Sequence, residues 1–145
     1  LAISGALPGE AKTVIEEGFA SGAVSKSSRA VAERLTDANA KIPSDKASVV
    51  NDEKRAPSAA DGRLAANTGS AYLAYGDYTK AIDLFRLAQK KGGIDADVVN
   101  TRLGIALARA GQKDAARAAF QAVNGAARKD VAQFWLLWLD QSPTA

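Results

Sequence analysis

The sequence predicts an all-α fold, and three observations predict it. Alanine makes up about a fifth of the 145 residues. It is the best helix former and has no side-chain entropy to lose. Aromatic residues are 6% of the chain, prolines number four and β-branched runs are scarce, which argues against a sheet. Apolar residues also recur at helical spacing in two stretches that match each other 35 residues apart. A chain of this length can bury a self-sufficient core.

Taken from the N-terminus, Pro8-Gly9-Glu10-Ala11-Lys12 opens a stretch with apolar Ala11, Val14, Ile15 and Phe19 at helical spacing. Gly5, Glu10-Ala11, Ile15 and Gly18 read as the second helix of a degenerate repeat. On that reading the chain starts mid-repeat, with further repeats upstream. A first residue of Leu rather than Met fits a processed or excised chain. The compartment, periplasm or cytoplasm, is not legible from it. Ser27 or Ser28 then caps a helix carrying Val31, Leu35 and Ala38. This helix is expected to end at Ile42-Pro43, because proline removes a backbone donor and restricts the residue before it. Ser44-Asp45-Lys46 starts another helix with Val49 and Val50, ending near Pro57. The run Asp52-Glu53-Lys54-Arg55 reads as a solvated face. Residues 1–61 are thus an N-terminal helical segment, and residues 62–145 hold the repeats and a capping helix.

Within the repeats, Gly69 falls on Gly104, Gly76 on Gly111, Ala81 on Ala116 and Phe85 on Phe120. Each unit, 62–92 and 97–125, reads as two helices. Leu64, Ala65, Thr68 and Tyr72, then Val99, Leu103 and Leu107, mark the first helices. Ala81, Leu84, Phe85 and Ala88, then Ala116, Ala119, Phe120 and Val123, mark the second. Gly76 and Gly111 sit at the turns. Gly69 and Gly104 lie inside the first helices, where glycine costs about 1 kcal/mol against alanine. Their recurrence implies a close approach by the second helix, through Ala81 or Ala116. Residues 127–141 form one more helix, started by Asp130 and ended by Ser142-Pro143. Phe134 and Leu137 are expected in its packing slots. Phe134-Trp135-Leu136-Leu137-Trp138-Leu139 covers the whole helix circumference, so one packed face cannot hide all six side chains. Trp135 and Trp138 are therefore candidates for a self-association surface, such as a homodimer contact.

The pattern resembles the tetratricopeptide repeat family. The first unit supplies Ala65, Thr68-Gly69, Tyr72, Gly76, Tyr78, Ala81, Phe85 and Ala88. The second supplies Asn100, Leu103-Gly104, Leu107, Gly111, Lys113, Ala116, Phe120 and Val123. The family's usual Trp slot holds Ala65 and Asn100, its closing Pro is absent, and the spacing is 35 rather than 34. The resemblance implies a right-handed superhelical stack of antiparallel helix pairs, an α-solenoid with a C-terminal capping helix.

The absences narrow the chemistry. The chain has no Cys and no His. Disulfides, thiolate nucleophiles, Ser-His-Asp triads and histidine zinc sites are therefore excluded. Glu16-Glu17 are adjacent and diverge by about 100° on a helix, so they make no acid–base pair. Gly92-Gly93 lacks the Lys-Ser/Thr of a phosphate loop. Asp95 and Asp97 sit at a helix start, where acids suit the dipole. No apolar run approaches a membrane span. Net charge is +3; residues 1–61 carry 8 Lys/Arg against 9 Asp/Glu and the remainder 11 against 7. This excess is too mild and dispersed to predict nucleic-acid binding. No catalytic residue, cofactor or metal ligand is expected.

The expectation is a non-enzymatic module that binds a protein or peptide. Family resemblance places an extended peptide along the first helices, against Arg63, Asn67, Ser70, Thr101, Arg102 and Arg109. Arg and Asn side chains suit a carboxylate or a peptide backbone. The Lys and Asn of the family's carboxylate clamp read Ala66 and Ser70 here. An oligomerisation segment built on the Trp-rich end, or an accessory region of a larger enzyme, are the alternative expectations.

Overall fold

The computed structural model describes residues 8–141. The expectations placed on Gly5 and on Ser142-Pro143 lie outside the described residues. Among the described residues the chain is all-helical, with seven α-helices, one short 3-10 turn and no strand. It divides between Asn51 and Asp52 into two compact units.

In the first unit, helix α1 runs Pro8–Ala20. Pro8 occupies the first turn, where its missing donor has no partner to lose. Ile15 is buried on this helix, while Val14 is half exposed. A turn then leads to α2, Arg29–Arg55. This helix corrects the sequence reading, because it runs straight through Pro43 rather than ending at Ile42 and restarting at Ser44. Proline in a helix interior costs about 3 kcal/mol. Helical hydrogen bonds on either side of Pro43 carry the backbone across the one donor it lacks. The Ser44 hydroxyl donates to the Lys41 carbonyl at 3.0 Å, inside the turn that proline disturbs.

The second unit begins with the last turn of α2 and a 3-10 turn, Ala56–Ser58. It continues with α3 (Arg63–Ala74), α4 (Tyr78–Lys91), α5 (Ala96–Arg109), α6 (Lys113–Gln121) and α7 (Ala126–Gln141). Helices α3 and α4 pack as one pair, α5 and α6 as another, and α4 packs on α5. Both hairpin turns are built alike. Gly76 and Gly111 each have φ +78°, a left-handed conformation that costs glycine nothing. Asp77 N–H donates to Tyr72 O at 3.0 Å, and Gln112 N–H to Leu107 O at 2.9 Å. These six-to-one bonds close a Schellman motif on both first helices. Asp77 then caps α4 through Lys80 N–H, and Asp95 caps α5 through Val98 N–H.

The two glycines inside the first helices have equivalent surroundings. A Cβ on Gly69 would lie 3.0 Å from Phe85 Cε1, and one on Gly104 would lie 2.5 Å from Phe120 Cε1. The close approach is thus made chiefly by a phenylalanine ring, with Ala81 contributing its carbonyl at 3.3 Å. Phe85 and Phe120 are 0% and 1% exposed, the centre of each hairpin's core. Helix α7 packs on α5 and α6, but not through the side chains expected. It buries Ala132 and Leu139, while Phe134 and Leu137 are 65% and 60% exposed. The apolar run does cover every side of the helix, and the packed side carries Ala132, Trp135 and Leu139, with Trp135 stacked on Phe120.

Candidate functional site

Helices α3 and α5, the first helices of the two hairpins, lie side by side with the α4–α5 loop across one end. Between them is an open cleft of about 250 Å³. Ala66, Ile94, Val98 and Val99 form apolar parts of its wall, and Arg63, Asn67, Asp95 and Arg102 supply the polar groups. The α-helical repeat explains the lining: Arg63, Ala66 and Asn67 are three or four positions apart on one face of α3, as are Val98, Val99 and Arg102 on α5.

The two arginines are held differently. Arg102 Nη1 donates to Ser70 Oγ at 2.7 Å, and that hydroxyl donates to the Ala66 carbonyl at 2.8 Å. The chain fixes the guanidinium through a neutral partner, so its positive charge is not cancelled. Arg63 is neutralised locally: its Nε donates to Asp61 Oδ2 at 2.8 Å, and its backbone N–H donates to Asp61 Oδ1 at 3.0 Å. The Arg63 side-chain bond holds the Asp61 carboxyl below its ordinary range, and the same bond raises the Arg63 guanidinium. Asn67 is exposed, on the cleft wall between them. Asp95 turns its carboxylate to cap α5, so its acceptor is partly used.

The cleft therefore gathers Arg63, Asn67 and Arg102 of the six residues expected on the binding face, with Ser70 behind Arg102. Thr101 does not belong to that face. It is 3% exposed, and its hydroxyl donates to Asp97 O at 2.7 Å; bonding back to its own helix lets a threonine sit in the core. Arg109 lies two turns beyond Arg102, about 10 Å along the helix. Its guanidinium stands 5.9 Å from the Trp135 ring centroid, a cation–π arrangement. Trp135 stacks on Phe120 at 5.8 Å and meets Trp138 edge-on at 5.4 Å. Trp135 is thus largely an internal strut, whereas Trp138 remains 41% exposed.

Other groups carry roles that sequence reasoning did not assign. Ile94 and Val98 line the cleft; the one apolar residue between Gly93 and Asp95 was the available signal. Asp97 accepts from Asn124 N–H at 3.0 Å and Gly125 N–H at 2.7 Å, pinning the α6–α7 junction to the start of α5. Glu53, at the end of α2, accepts from the Tyr72 hydroxyl and from Lys80 Nζ at 2.9 Å. These bonds, Tyr72 first, hold the Glu53 carboxyl below its ordinary value. Burial, then Glu53, raises the Tyr72 phenol, and the Glu53 bond raises Lys80. Among the described residues no cluster of acidic side chains is arranged to hold a metal ion, and no helix is long and apolar enough to cross a membrane.

Compared with protein-family models, with curated proteins and with solved structures, the chain shows no significant match to any of the three.

Proposed function

We propose that the repeat unit is a tetratricopeptide-like, right-handed helical stack that acts as a non-enzymatic interaction module, binding an extended segment of a protein partner in the α3/α5 cleft. The observation that carries this reading is the Arg102–Ser70–Ala66 chain on the cleft wall. A buttressed, uncancelled guanidinium beside apolar side chains is suited to hold a carboxylate or carbonyl while a neighbouring side chain enters the cleft. The volume of about 250 Å³ is below the roughly 300–1,000 Å³ of small-molecule sites. It matches one or two side chains of a peptide better than a cofactor. The open shape, and a lining of two arginines, an asparagine and apolar side chains, favour binding rather than turnover.

The test is a displayed peptide library selected on the full chain, with the enriched peptides titrated calorimetrically. Arg102→Ala should weaken binding at least tenfold, about 1.4 kcal/mol, within the range for a lost charge-assisted hydrogen bond. Asn67→Ala should weaken it less, and Arg86→Ala, exposed on α4 outside the cleft, should leave it unchanged. Equal affinities for Arg102→Ala and the parent chain would rule the cleft out.

A further inference from the structure

Helix α7 leaves an apolar stripe uncovered. Val131, Phe134 and Trp138, at i, i+3 and i+7, share one side of the helix with Leu137. They are 44%, 65%, 41% and 60% exposed, while Ala132 and Leu139 anchor the opposite side at 2% and 4%. Side chains of this size expose on the order of 400 Å² of apolar surface in one patch, a size that on monomeric proteins marks a contact site.

We propose that this stripe is a self-association surface, on which α7 of one copy packs antiparallel against α7 of a second. Two features of the helix select that occupant. The first is a gradient of size: along the exposed side, the smaller residues come first (Ala127, Asp130, Val131) and the bulky ones later (Phe134, Leu137, Trp138). A two-fold axis near Phe134 sets Trp138 of each copy over the Ala127, Asp130 and Val131 turn of the other, large against small, as close packing requires. A parallel pair would set large on large at one end and leave gaps at the other. The second is the helix dipole. Antiparallel pairing sets the positive N-terminal end of each α7 beside the carbonyl end of the other, an alignment that parallel pairing reverses. The result is an isologous contact, in which one patch serves both copies. Its apolar core falls short of the roughly 800 Å² per partner of a tight complex, so the pair forms in the micromolar range.

The chain has no cysteine, so single-cysteine variants report the geometry directly. Light scattering of the full chain at rising concentration should show the mass doubling. Phe134→Asp with Leu137→Asp should hold it at the monomer with an unchanged helical spectrum, since both side chains face solvent within one copy. With a short bis-maleimide, Phe134→Cys, beside the axis, should cross-link to itself. Ala127→Cys should not, because the two thiols would stand about 21 Å apart along the helices. A chain that stays monomeric at hundreds of micromolar overturns the proposal. Equal cross-linking of the two cysteines overturns the antiparallel pairing. A monomer that instead co-sediments with anionic phospholipid vesicles assigns the stripe to a membrane surface and overturns it as well.

Discussion

Gly104 sits hard against the Phe120 ring. An added methyl would lie 2.5–2.7 Å from three atoms of the Phe120 ring, and that ring is wedged against Trp135. Gly104→Ala should therefore destabilise the unit by about 1–2 kcal/mol, overpacking outweighing the gain in helix propensity. Gly69→Ala, whose nearest ring atom is at 3.0 Å, should cost less; urea midpoints of the two variants check the order. A second residue-scale prediction concerns pH. Glu53 has a lowered folded-state pKa, so its contribution is present above the ordinary glutamate value of 4.5 and is lost as pH falls through the folded value. Tyr72 and Lys80 are raised, so theirs are complete below 10.0 and 10.5 and are lost as pH rises through the folded values. Melting temperature should fall at both extremes, and Glu53→Gln should flatten the acid side.

At the scale of the element, the helices whose apolar positions repeat were legible in the sequence, and so were their ends. Gly76, Gly111 and Asp95 act locally, within one turn of the residues they punctuate, so sequence alone reveals them. Helix α2 was misread because the cost of Pro43 is a local quantity, whereas the persistence of the helix depends on what flanks it. Pro43→Ala should therefore raise helical content and thermal stability, by an amount approaching 3 kcal/mol if the turn is otherwise undistorted. Helix α7 was misread for a different reason: a helix apolar on every side has no pattern from which to choose its buried face, and only the neighbouring helices choose. Asp97 reaches across 28 residues, beyond any local rule. Asp97→Ala removes two hydrogen bonds to a carboxylate, each worth about 1.5–3 kcal/mol. The amides of Asn124 and Gly125 should then exchange markedly faster, a change read by hydrogen exchange.

For the molecule as a whole, the all-α class and the doubled hairpin followed from composition and from the 35-residue period. The cleft followed only in part. The period places Arg63, Asn67 and Arg102 on first helices, but nothing local says that Ser70 fixes Arg102 or that Thr101 turns into the core. Those facts depend on the distance between α3 and α5, which no residue encodes alone. The same architecture keeps packing close to home: the main helix–helix contacts of the second unit join helices one or two places apart. Such short-range topology folds in microseconds to milliseconds, which temperature-jump relaxation would measure. The closed hairpins, each knotted on its own glycine and phenylalanine, also set how the protein would behave under load. Stretched between its two tips in a force spectrometer, this unit has no shear-resistant girder of paired strands to snap at once. It should yield in small successive steps, one hairpin at a time, and recoil just as readily when released.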